Sequence, residues 1–254
     1  MITTTCSTCG QPVKRLITPT TPVLCAHCCA PSEEAIREEA LIDARRRVER
    51  QFLTFDAAGS YDSAVLSMTQ TPTQWQRKAV AAVNAHRQRL TENSPGRGGI
   101  LFTGPTGIGK THAAIAICRR VADFDPAGIR VTTETSLLRP GIPPWELHDH
   151  IRRTIDGART LLIDDVGTVA RPQDQVMSAW KQVADLIAAS PTSTLVLATT
   201  NLTDLQHLSQ WVGAQAASRL TGFMDQATTG WTDHRAGVDH LDWKARLRPK
   251  ADAS

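Results

Sequence analysis

The sequence predicts an α/β protein in which a parallel sheet is flanked by helices and preceded by a small cysteine-stapled module and a linker helix. Three observations carry this expectation. A glycine-rich turn, Gly104 to Thr111, lies between an apolar run and a helical pattern. Two further apolar runs, Thr160 to Ile163 and Thr194 to Thr199, each lead into polar residues. Four cysteines form two evenly spaced pairs near the amino terminus. Strand-length apolar runs separated by helix-length stretches read as βαβ units, which set the strands side by side in parallel.

The 254 residues suffice for one sizeable α/β core and a small accessory module. An apolar share of 41% and a charged share of 21% argue against disorder and fibrous architecture. No run approaches the roughly 18 apolar residues of a membrane span, and residues 1–10 are polar and cysteine-bearing, unlike an export signal. The expectation is a cytoplasmic protein with no membrane partner. A net charge of +3 is too small to single out nucleic acid, because such binding depends on clustered Lys and Arg.

Five of the six cysteines fall within the first 29 residues. Cys6-x-x-Cys9 and Cys25-x-x-Cys28 are fifteen residues apart, the spacing of a four-cysteine structural Zn²⁺ site. Each pair can put two thiolates on one tight turn, with Gly10 supplying permissive backbone. His27 and Cys29 compete with Cys28 for the fourth position, and Cys28 preserves the x-x spacing. A full thiolate set leaves no open coordination position, so the metal reads as structural. The zinc module spans residues 1–31 and a linker helix residues 32–60, with acids early, arginines late and Ile36, Leu41, Ala44, Val48 and Phe52 at helical spacing. Residues 61–254 form the main domain. It opens with a helix over 72–90 that buries Trp75, Ala79, Val80 and Val83 and turns Arg77, Lys78, Arg87 and Arg89 to solvent.

Gly104-Pro105-Thr106-Gly107-Ile108-Gly109-Lys110-Thr111 satisfies the full phosphate-loop pattern G-x-x-x-x-G-K-[ST]. Gly98 to Thr103 reads as the feeding strand, and the helix whose first turn closes the loop continues over Ala113 to Ala122. The glycines let backbone N–H groups turn inward at a helix amino terminus, where the dipole favours phosphate. ATP is the expected ligand, with Lys110 on its β- and γ-phosphates and the Thr111 hydroxyl on Mg²⁺. Leu161-Leu162-Ile163-Asp164-Asp165 reads as a Walker B strand, in which Asp164 holds the Mg²⁺ shell and Asp165 orients or deprotonates the attacking water. Asn201, at the end of the third run, can contact the γ-phosphate or that water.

With these strand ends in order, the chain resembles an AAA+ ATPase, and more narrowly the DnaC and DnaI-type replicative helicase loaders and their IstB-type transposition relatives. The matching residues are Gly104 to Thr111, Leu161 to Gly167, Thr199-Thr200-Asn201 and Ala217-Ser218-Arg219-Leu220. The resemblance implies that Asn201 is sensor 1 and that Arg219 is an arginine finger acting on a neighbouring subunit's ATP, hence self-association into a helical or ring-like homo-oligomer. It further implies a hexameric replicative DNA helicase and single-stranded DNA as partners, the zinc module docking the helicase. The compact layout suits a phage-encoded relative. Asp165 stands where many members carry Glu, and the stretch after Arg219 is too short for a full C-terminal lid, with Arg235 and Arg246 as sensor 2 candidates. Arg130, Arg139, Arg152 and Arg153 are candidate DNA contacts. The alternatives are a transposition helper ATPase and an ATP-binding zinc adaptor without turnover. A small-molecule kinase would need an arginine-bearing lid between Asp164 and Thr194, which is missing.

Overall fold

The computed structural model describes residues 2–15, 33–53, 64, 66, 73–202 and 204–229. The chain divides into two compact units, residues 1–46 and 47–254. In the first, β1 (Ile2–Thr5) and β2 (Pro12–Arg15) form an antiparallel hairpin that pairs Thr5 with Pro12. Its turn carries Cys6, buried, and Cys9, exposed. The turn closes through Gly10 N donating to Cys6 O at 2.9 Å, with Gly10 at φ 72°. Cys25, Cys28, Cys29 and His27 lie outside the described residues. Helix α1 (Glu33–Leu53) follows and carries its last residues into the second unit.

The second unit continues as α2 (Gln74–Thr91), β3 (Arg97–Phe102), α3 (Lys110–Ala122), β4 (Ile129–Thr133), α4 (Glu134–Leu137), α5 (Pro144–Ile155), β5 (Thr160–Val166), α6 (Gln173–Ala189), β6 (Thr194–Thr200), α7 (Leu205–Val212), α8 (Ala214–Thr221) and β7 (Met224–Ala227). The five strands form one parallel sheet in the order β4-β5-β6-β3-β7. Neighbours in sequence are thus not always neighbours in space, and β6 lies between β3 and β5.

Alternation along the strands sorts the core into two faces, as the period of two requires. Ile100, Phe102, Leu162, Leu195 and Leu197 point to one side and pack with Val48 and Phe52 of α1, Ala79 and Val83 of α2, and α3. Leu101, Leu161, Ile163, Val196 and Ala198 point to the other, against α5, α6, α7 and α8. Strands apolar on both faces are what a sheet covered on both sides needs. Trp75 meets Phe102 edge to face at 6.2 Å. Cys118 is fully buried, and desolvation pushes its thiol up to about 12, so it packs as a small core residue.

At the sheet edge where the strands begin, α2 inserts His86 beneath β6. Its Nδ1 lies 3.0 Å from Ser193 Oγ and its Nε2 3.3 Å from Thr160 Oγ1. Burial, aided by the Arg89 charge, lowers its pKa to about 4. No helix among the described residues is long and apolar enough to cross a membrane.

Candidate nucleotide site

In an open parallel sheet, ligands gather beyond the carboxyl ends of the strands, where loops and helix amino termini face outward together. Here β3 runs into the loop Gly104 to Thr111, and α3 begins at Lys110. Gly104, Gly107 and Gly109 take φ values of 129°, 88° and 87°, a region that a residue with a Cβ enters at a cost of about 1 kcal/mol or more. This curl aims the loop's amides inward at the helix amino terminus, and buried Ile108 pins it from below.

Lys110 is buried and its Nζ donates to Gly104 O at 3.0 Å, to Pro105 O at 2.8 Å and to Asn201 Oδ1 at 2.8 Å. The loop therefore carries its own cation at its mouth. One strand over from β6, Asp164 is only 5% exposed. Its Oδ1 accepts from Thr111 Oγ1 at 2.9 Å and from Thr199 Oγ1 at 2.5 Å. Desolvation raises the Asp164 pKa, the Thr199 donor lowers it, and the neighbouring Asp165 charge raises it again. Thr199 thereby holds both acids, since its hydroxyl also accepts from Asp165 N at 3.0 Å.

Asp165 sits at φ 55° within an irregularity of the β5–β6 register, between Ile163 and Val166. The kink exposes its side chain while Asp164 stays buried. A non-glycine residue in this region is uncommon, and such strain of about 1–3 kcal/mol persists only where the surroundings over-determine it. At the start of α3 the structure pairs Lys110 with Asn201 and the adjacent Thr111 with Asp164, and Asp165 follows Asp164.

Arg219 is elsewhere. It lies on α8 and pairs with Asp185 of α6, the two side chains being 45% and 40% exposed. Helix α6 leaves the carboxyl edge of the sheet at Gln173 and returns to the opposite edge to start β6, and at 1.5 Å per residue Asp185 lies about 18 Å along it. Helix α8 likewise leads into β7 at that opposite edge. Arg219 therefore cannot reach the phosphate loop of its own chain.

Among the arginines proposed for DNA, Arg130 is held by Ala127 O and Ile129 O at 3.2 and 3.0 Å, whereas Arg139, Arg152 and Arg153 are exposed. Trp145, at the start of α5, is 78% exposed beside them in sequence. Arg235 and Arg246 lie outside the described residues. Among the described residues no group of three or more His, Cys, Asp or Glu is gathered around a common point that could hold a metal. In the sequence Thr199 figures only within the third apolar run and the matching Thr199-Thr200-Asn201 segment, with no role of its own, and Glu134 not at all; a buried hydroxyl one strand from the acids and a lone acid opening a short helix carry no distinctive pattern.

No family model and no curated protein matches the chain. Among solved structures it is similar to a DnaC helicase loader, at 18% identity and TM-score 0.44 over 67% of this chain and 99% of that one. It is similar to DnaI at 18% and 0.49, over 70% and 93%. Domain III of the Thermotoga maritima replication initiation protein DnaA is similar at 17% and 0.46, over 65% and 66%. At such identities none of these fixes what this chain does.

Proposed function

We propose that the chain is a slow ATPase, stimulated by assembly or DNA, that loads a hexameric replicative helicase onto single-stranded DNA. One observation carries the enzymatic part: Lys110, Thr111, Asp164 and Asn201, from three separate strand ends, converge on the glycine loop. The loop amides and Lys110 bind the triphosphate tail, and Thr111 and Asp164 hold Mg²⁺, which offsets charge on the β- and γ-oxygens. Asp165 orients the attacking water or takes its proton, and Asn201 meets the γ-phosphate. The position of Arg219, remote from its own loop, supports its service to a neighbouring copy, where an added cation stabilises the transferring phosphoryl group.

The loader part rests on the motif resemblance, with residues 1–31 as a Zn²⁺ module that docks the helicase, 32–60 as linker and 61–254 as ATPase domain. The test is turnover by the full chain with and without single-stranded DNA, together with retention of the cognate hexameric helicase. We expect DNA-stimulated turnover, and helicase retention that chelation of Zn²⁺ abolishes. No nucleotide binding removes the enzymatic reading; DNA-stimulated turnover without helicase retention favours the transposition helper instead.

A further inference from the structure

Glu134 is completely buried at the start of α4, directly beyond β4. Its Oε2 accepts from three successive backbone amides, Gly167 N at 2.9 Å, Thr168 N at 2.8 Å and Val169 N at 3.0 Å. Its Oε1 accepts from two indoles, Trp180 Nε1 of α6 at 2.7 Å and Trp211 Nε1 of α7 at 2.8 Å. Five N–H donors on one carboxylate are more than the charge needs for burial. Three of the five belong to the loop that leaves Asp165.

Asp165 is held at positive φ from both sides. Its amide is fixed by Thr199, and its carbonyl accepts from Thr168 Oγ1 at 2.7 Å. Thr168 in turn is held by Glu134. The same loop reaches on to Arg171, whose guanidinium donates to the carbonyls of Leu138, Arg139 and Ile142. Glu134 is thus the internal anion around which three consecutive amides wrap, as they would around a bound phosphate.

We propose that Glu134 is a positioning residue for hydrolysis: its carboxylate, gripping the amides of residues 167–169, holds Asp165 in the strained conformation that aims it at the attacking water. The role rests on the ATPase reading above. Glu134 is fully buried with both oxygens taken by protein donors, so it acts on turnover and not on ground-state binding.

The test uses the full chain with Glu134→Gln, which keeps shape and loses charge, and Asp165→Asn. Nucleotide affinity in Glu134→Gln should stay within about twofold of the unaltered protein while kcat falls at least about tenfold. Amide hydrogen exchange should quicken across 164–170 and stay unchanged in α3. The double variant should be no slower than Asp165→Asn alone, because both changes remove one function. Equal kcat in Glu134→Gln, unchanged exchange across 164–170, or affinity lost in step with kcat overturns the positioning role alone. No turnover in the unaltered protein overturns the ATPase reading and this role with it.

Discussion

Lys110 Nζ and Asn201 Oδ1 are joined at 2.8 Å, so the residue just past β6 holds the ammonium at the mouth of the glycine loop. In the proposed site a triphosphate displaces this contact and the two loop carbonyls. Lys110→Ala should abolish nucleotide binding. Asn201→Ala should leave affinity within a few-fold, because a competitor for Lys110 is lost along with a contact, yet lower kcat by about tenfold or more. Fluorescent-nucleotide titration and single-turnover assays separate the two effects.

Asp164 is a buried acid whose pKa in the folded protein is raised, chiefly by desolvation. A raised value means that the folded state holds the proton more tightly than the unfolded chain, so ionising Asp164 costs stability as pH climbs past the usual carboxylate range. That cost grows as pH rises through the raised folded value. Asp164→Asn, which keeps an acceptor for Thr111 and Thr199, should therefore raise the thermal midpoint at pH 7 while removing Mg²⁺-dependent turnover. Thermal denaturation at pH 7 checks the sign.

Arg219 and Asp185 form a pair with both partners well exposed, and such pairs contribute about 1 kcal/mol at most. Arg219→Ala should leave folding and nucleotide affinity nearly unchanged. Turnover should fall about a thousandfold or more, on the order of what arginine fingers supply, and mixing with Lys110→Ala protein should restore part of it, the latter lending its intact Arg219 to the former's intact loop. Absence of rescue in mixed samples would place Arg219 outside the chemistry.

His86 titrates at about 4 in the folded protein against 6.5 ordinarily. The unfolded chain takes up the proton first, so stability is complete above pH 6.5 and drains away as pH falls towards 4. The full effect is about 3 kcal/mol by the usual conversion. Replacing His86 by Gln should flatten this slope, which denaturant melts at pH 7 and pH 4.5 would show.

The sheet was legible because each of its three central strands is an apolar run ending in chemistry: Phe102 into the glycine loop, Ile163 into Asp164, Thr199 into Asn201. Helix α3 was legible for the same reason, since the Lys110-Thr111 that closes the glycine pattern also forms its first turn. Strand β7 went unread because Met224 to Ala227 is short and half polar. The Glu134 cluster was beyond reach for another reason. Its donors lie at positions 167–169, 180 and 211, and only the folded chain shows that they meet.

The strand order sets one more relation. Because β6 intervenes between the phosphate-binding strand and the acid-bearing strand, its tip straddles the space in which a γ-phosphate would appear or vanish. The polypeptide leaving that tip passes through α7 and α8, and α8 carries Arg219, paired with Asp185 of α6. If Arg219 serves a neighbouring copy as proposed, one short span of chain begins at one nucleotide site and ends at the next, giving a row of such molecules a built-in direction.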